Sequence, residues 1–293
     1  MFIIVYGIVY LISLLPFRVL YVFSDGLYGL IYHIIGYRKK VVMHNLKIAF
    51  PQKTELERII IAKKFYHNLI DYFFESIKLL TITDKEFYKR CTGDFDEINR
   101  IAATGTNIEL LCGHQFNWEY ANRIYSKRLT IPFVLVYMPL TNKIVDRIFK
   151  KIRLKHNTVL IDATNYKKDM LGVYKKQYTL ALVADQNPAN LKASFWLNFF
   201  YRPTPFLYTP EKNAQRNNLP VGFAGFKKIK RGYYKFETIV ITRNAANTEK
   251  GELTKKYRDF LEQEIREQPE NYLWSHRRWK NEYQQEYEKQ WID

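Results

Sequence analysis

The sequence predicts an α/β fold: a mostly parallel central sheet flanked by helices, preceded by an N-terminal apolar helical arm that serves as a membrane anchor. Three observations predict it. Strand-like and helix-like stretches alternate through residues 108–268. The first 37 residues are apolar almost without a break. No glycine- or proline-rich linker interrupts the remainder of the chain, so an anchor over residues 1–37 is expected to lead into one catalytic domain over residues 38–293.

The anchor comes first. Met1 to Leu15 is closed by Pro16-Phe17-Arg18, and Val19 to Tyr37 is closed by Arg38-Lys39-Lys40. Neither half reaches the ~20 residues that span a bilayer core. No basic segment precedes the apolar run and no small-x-small site comes after it, so a cleaved signal peptide is a poor fit. The expectation is a short span or a hairpin broken at Pro16 that dips into one leaflet, with the three basic residues on the cytoplasmic side. A buried helical hairpin is the alternative.

From Val41 to Leu80 the apolar positions step by three and four, which is helical. Pro51 divides this stretch, and Thr54 with Glu57 offers a capping box for its second helix. A short helix is predicted at Asp84 to Arg90. Strands are predicted at Ile108 to Cys112, Ile131 to Tyr137, Thr158 to Ile161 and Tyr178 to Ala184, with helices at Thr141 to Lys151 and Asn165 to Lys176 between them. Pro220 to Phe226 and Tyr233 to Thr242 read as a strand pair around a basic turn, Lys227-Lys228-Ile229-Lys230-Arg231-Gly232. Glu252 to Gln268 is a helix stopped by Pro269.

Composition narrows the partners. The chain has 293 residues, 47% of them hydrophobic, enough for one sizeable core. Its formal charge of +17 calls for a polyanionic partner, an anionic membrane surface or nucleic acid. No recognition helix or RNA-binding motif accompanies the charge, so the membrane surface is expected and nucleic acid is not. Two cysteines, Cys91 and Cys112, make neither a disulfide framework nor a zinc set. No metal site and no cofactor are expected.

The chemistry centres on Gly113-His114 and Glu119. On one continuous helix, residues five apart would sit ~140° around the axis and never meet. If Ile108 to Cys112 is a buried strand and a helix begins near Gln115, His114 lies on the joining loop and Glu119 points back from the first turns. A histidine held by a carboxylate can take a proton from a hydroxyl near neutral pH. Gly113-His114, Tyr137-Met138-Pro139 and Asp185-Gln186 each come directly after a strand-like run, so they are expected to converge at one sheet edge.

These landmarks stand in a recognisable order. They are the Leu-Leu-Pro-Phe anchor, Asn45-Leu46 with Ala49-Phe50-Pro51, Gly113-His114 to Asn117-Trp118-Glu119, Tyr137-x-Pro-Leu140, Asp185-Gln186 with Phe199-Phe200, and Trp274-x-His-Arg-Arg278. Together they resemble the late acyltransferases of lipid A biosynthesis, the lauroyl and myristoyl transferase family within the H-x4-(D/E) glycerolipid acyltransferases. The resemblance implies an enzyme of the bacterial inner membrane, active at its cytoplasmic face. Such an enzyme moves a fatty acyl chain from acyl carrier protein to a hydroxyl of a lipid A precursor. It also implies that His114 is the base and Glu119 its partner, and that Arg153 and Asp185 match the family's arginine and Asp-Gln positions. Two departures stand out: Met138 replaces the arginine of the family's Tyr-Arg-Pro, and Gln115-Phe116 replaces its glycine after the histidine.

In the expected reaction the lipid hydroxyl attacks a thioester carbonyl, from acyl carrier protein or coenzyme A, while His114 accepts the proton. The oxyanion needs donors, either backbone N–H groups at the helix start or Arg153. Asp185 is a candidate substrate-site acid or a turn-capping one. Arg277, Arg278 and Lys280 could bind lipid phosphates, line the membrane surface, or form a solvated basic tail. A lysophospholipid or an amino-acid lipid is the alternative acceptor, and a basic nucleic-acid binder is the alternative outside enzymes.

Overall fold

In the computed structural model, which describes residues 1–156 and 158–293, the chain runs through eleven α-helices and nine strands among the described residues. The first elements are α1 (Phe2–Leu14), α2 (Phe17–Gly29), α3 (Lys39–Ala49), α4 (Glu55–Lys78), α5 (Asp84–Arg90), β1 (Cys91–Gly93) and α6 (Asp96–Ala102). The alternating region comprises β2 (Ile108–Cys112), α7 (Trp118–Arg128), β3 (Phe133–Tyr137), α8 (Lys143–Leu154), β4 (Thr158–Asp162), α9 (Tyr166–Val173) and β5 (Thr179–Val183). The last third holds β6 (Ser194–Phe199), β7 (Arg202–Leu207), α10 (Thr209–Arg216), β8 (Val221–Lys230), β9 (Tyr233–Thr242) and α11 (Glu252–Glu267).

Seven strands form one sheet in the order β1-β9-β8-β2-β5-β3-β4, and only the β8–β9 pair is antiparallel. The expected mostly parallel sheet between helices is what the chain forms. Strand β2, Ile-Glu-Leu-Leu-Cys, is buried at every position, as a central parallel strand covered on both faces must be. It pairs with β5 on one side and β8 on the other, with Cys112 opposite Val183 and Ala224. Residues just past β2 and β5 therefore emerge side by side at the carboxyl edge of the sheet, where open α/β sheets place their ligands.

Several local predictions hold. The Thr54–Glu57 capping box starts α4, with both reciprocal bonds present. Asp84–Arg90 is a helix, and β2 has the predicted bounds. The basic turn does not hold. Lys227 to Lys230 belong to β8, and only Arg231-Gly232 turns, with Gly232 at φ +75°. Three of its four charges are also paired: Arg231 bonds both Asp25 and Asp71, Lys228 lies 3.7 Å from Asp71, and Lys227 pairs with Glu237 and Glu267. Unforeseen elements are the β6–β7 hairpin, α10, and the short β1 with α6.

The N-terminal arm is bent by 118° at Pro16, and among the described residues no single helix is long and apolar enough to cross a membrane. The second limb continues from α2 through a π-helical turn, Leu30–Ile35, and stops at Gly36, whose φ of +64° suits a residue without Cβ. Both limbs are fastened to the body. Lys78 Nζ donates to the carbonyls of Ser13 and Leu15, and Ser24 donates to buried Asp71 (2.7 Å). Phe2 lies under the guanidinium of Arg147 on α8. The outward faces stay apolar: Ile3 is 82% and Ile34 78% exposed, with Ile4, Ile8, Leu11, Val22, Phe23 and Ile35 also exposed.

Candidate active site

His114 stands in the loop between β2 and α7, with a helix that starts at Trp118 rather than near Gln115. Asn117 caps that helix, its Oδ1 accepting from the N–H groups of Glu119 and Tyr120, both at 3.1 Å. These two helix-start donors are thereby taken and do not serve an oxyanion. Asn117 is itself held by Glu75, whose carboxylate also accepts from Tyr21 and Tyr234. Gly113 packs closely against α11: a Cβ there would lie 2.6 Å from Leu261 Cδ1, so any larger residue must displace that side chain.

The carboxylate on His114 is Asp185, not Glu119. Asp185 Oδ1 lies 2.6 Å from His114 Nδ1, and Oδ2 accepts from the His114 backbone N–H at 3.0 Å. The sheet explains this: β2 and β5 are parallel neighbours, so their trailing loops deliver His114 and Asp185 to the same place. Asp185 is fully buried, and burial alone would push its pKa up. The charge and hydrogen bonds of His114, together with nearby Arg278, outweigh that and bring it down to about 2. Asp185 is thus an anion at neutral pH and accepts from Nδ1–H. Nε2 is left as the ring nitrogen without a protein hydrogen bond among the described residues, on a side chain 23% exposed.

Glu119 has a different partner. Arg153 grips it through Nε, at 3.1 and 3.0 Å from the two carboxylate oxygens, and through Nη2 at 2.5 Å from Oε1. Tyr72 donates to the same oxygen at 3.3 Å. Burial opposes the charge on Arg153, but Glu119 raises its pKa above the ordinary guanidinium value. Nη1 of Arg153 makes no protein hydrogen bond among the described residues, and the side chain is 14% exposed. Trp118 connects the two pairs, its ring 5.5 Å from His114 and 4.2 Å from Tyr72 between centroids.

The two departures from the family pattern also find their places. Phe116 is wholly buried among Phe65, Tyr72 and Trp118, so it is part of the core. Met138 is exposed at the end of β3. The C-terminal segment, which carries no periodic signal, proves essential to the loop. Phe116 N–H donates to Asn271 O, Asn271 Nδ2 donates back to Phe116 O, and Leu273 N–H donates to His114 O. The three basic tail residues separate: Arg277 and Lys280 are exposed, whereas Arg278 is 1% exposed and donates to Asn187 Oδ1 and Pro205 O, so it is not a surface ligand. Cys91 and Cys112 are buried free thiols, and no metal-binding group of acids, histidines and cysteines occurs among the described residues.

The family model for bacterial lipid A biosynthesis acyltransferases matches residues 1–281. The lipid A biosynthesis palmitoleoyltransferase of Escherichia coli (strain K12) is 22% identical over 284 residues, 94% of this chain and 89% of its own. A lipid A biosynthesis acyltransferase of Shigella flexneri has the same identity and coverage. The lipid A biosynthesis lauroyltransferase of Escherichia coli (strain K12) is 26% identical over 171 residues, 58% of this chain and 54% of its own.

Proposed function

Since the chain belongs to the bacterial lipid A biosynthesis acyltransferase family and is an acyltransferase, we propose that it moves a fatty acyl group from an acyl-carrier-protein thioester to a hydroxyl of a lipid A precursor, with His114 as general base. The observation that carries this is the His114–Asp185 pair, an imidazole anchored at Nδ1 and open at Nε2. The acceptor hydroxyl attacks the thioester carbonyl while its proton passes to Nε2. Collapse of the tetrahedral intermediate expels the thiolate, which takes that proton back, leaving an ester and a free thiol. Asp185 fixes the tautomer and stabilises the imidazolium. Arg153, pinned by Glu119, offers Nη1 to the developing oxyanion or to an anionic group of the substrate.

The test is an assay of the purified protein with several acyl thioesters and several acceptors, the products identified by mass. A lipid A precursor is expected to gain one acyl group and a lysophospholipid none. Acylation of the lysophospholipid alone would reject the acceptor, and preference for coenzyme A thioesters would reject the donor.

The apolar faces of α1 and α2 support a seat in one leaflet, with Arg38, Lys39 and Lys40 against anionic headgroups. Replacing Ile4 and Ile34 together by glutamate is expected to reduce flotation with vesicles containing anionic lipid by at least about tenfold. Unchanged flotation at low and high salt would overturn that seat.

A further inference from the structure

Arg278 is a charge in an unusual position. Its side chain is shut off from solvent, and no carboxylate lies within 4.0 Å of it among the described residues. Nη1 donates to Asn187 Oδ1 at 3.3 Å and Nη2 to Pro205 O at 3.0 Å, while Nε has no hydrogen-bond partner among the described residues. The guanidinium rests on Phe206 and Phe199, 4.4 and 5.4 Å from the ring centroids. A cation buried without an ion pair costs several kcal/mol. A lysine or arginine there for packing alone would be out of place.

What Arg278 holds is the turn after β5. Asn187, its partner, also accepts from Asn281 and donates to Arg277 O, and its Nδ2 meets His276 Nε2 at 3.1 Å. Two residues earlier on that turn is Asp185. We propose that Arg278 is a positioning residue for acyl transfer: through Asn187 it fixes the turn that carries Asp185, its charge offsets that carboxylate's, and it so governs the ring that Asp185 holds. This rests on the reading of His114 as the base.

The charge balance gives the sign. Asp185 faces His114 from its own loop, Cys112 from β2, Tyr257 from α11, and Tyr272 and Arg278 from the C-terminal segment. Arg278 faces Asp185, Tyr257, Tyr272 and, beside it, His276 with Lys280 farther out. Burial pushes the thiol and both phenols up, and burial with Arg278 brings His276 down to about 4, so all four are neutral near pH 7. Asp185 and Arg278 remain, and they balance. Removing the cation leaves a net negative site, which favours protonated His114.

Arg278→Met tests this, because methionine keeps the packing on Phe199 and Phe206 and removes a buried unpaired charge, a change that often leaves stability unharmed. The acid limb of the kcat/KM–pH profile is expected to move to higher pH by about one unit, with kcat near pH 7 down about tenfold and KM within about threefold. Arg278→Lys is expected to restore the limb. If Arg278→Met does not fold, Asn187→Ala loosens Nη1 and should lower kcat severalfold at unchanged KM. An unmoved limb with KM raised about tenfold or more would make Arg278 a substrate ligand, and an unmoved limb with only a lower Tm would make it a packing residue; either overturns the proposal. His114→Ala separates the failures. If it retains activity, the base assignment falls and Arg278 with it; if it is inactive while the limb of Arg278→Met stays put, Arg278 alone falls.

Discussion

Replacing His114 by alanine is expected to bring acyl transfer to background, and Asp185→Asn is expected to cost about 10³–10⁴-fold in kcat with the fold intact. The asparagine result comes from the tautomer. An anionic Asp185 only accepts, so Nδ1 must carry the hydrogen and Nε2 must be the basic nitrogen. An amide at that position can donate to Nδ1, which moves the ring proton to Nε2 and removes the base. Steady-state assays with circular dichroism check both changes, and near-normal turnover in either would sink the assignment. Asp185 also gives the fold a pH signature. Its carboxyl sits at about 2 in the folded chain against the usual 3.8. Because that value is depressed, the stabilisation is complete above the unfolded value and is lost as pH falls through 3.8 towards 2. It is on the order of 2 kcal/mol. Asp185→Asn should abolish this part of the acid dependence in urea melts recorded from pH 5 downwards.

The strand-end position of His114 was legible in the sequence, and its carboxylate partner was not. A buried run ending in Gly113-His114, with a helix after it, gives the strand–loop–helix setting directly. The short spacing from His114 points to Glu119, whereas sheet register delivers Asp185. Asp185 is far away in sequence but arrives from the adjacent parallel strand, and only the strand order β2-β5 makes them neighbours. The expected convergence of strand-end loops already contained that answer. Elements without a periodic signal escaped. The β6–β7 hairpin contains Pro203 and Pro205, which argue against a strand in isolation. Lys227 to Lys230 read as a turn because their charge hides the end of β8, where one edge of the strand pair leaves the core. Arg278 lies between exposed Arg277 and half-buried Trp279, and nothing local distinguishes a buried arginine from a surface one.

Glu119 pairs with Arg153 and not with His114. Glu119→Ala leaves a guanidinium buried without its anion, and Arg153→Ala leaves a carboxylate with only Tyr72. Each change is expected to lower stability by about 3–5 kcal/mol, read in urea melts. Stability alone does not separate a brace from a participant, so the informative variant is the double one. Glu119→Leu with Arg153→Met replaces the pair by apolar side chains of similar size and is expected to recover most of the lost stability. Turnover should not recover, because Arg153 Nη1 is then gone, and losing one donor to a developing oxyanion costs about 10²–10³-fold. A double variant that regained both stability and turnover would reduce the pair to a strut beneath Trp118. One that regained stability alone assigns Arg153 to the reacting groups and Glu119 to holding it there.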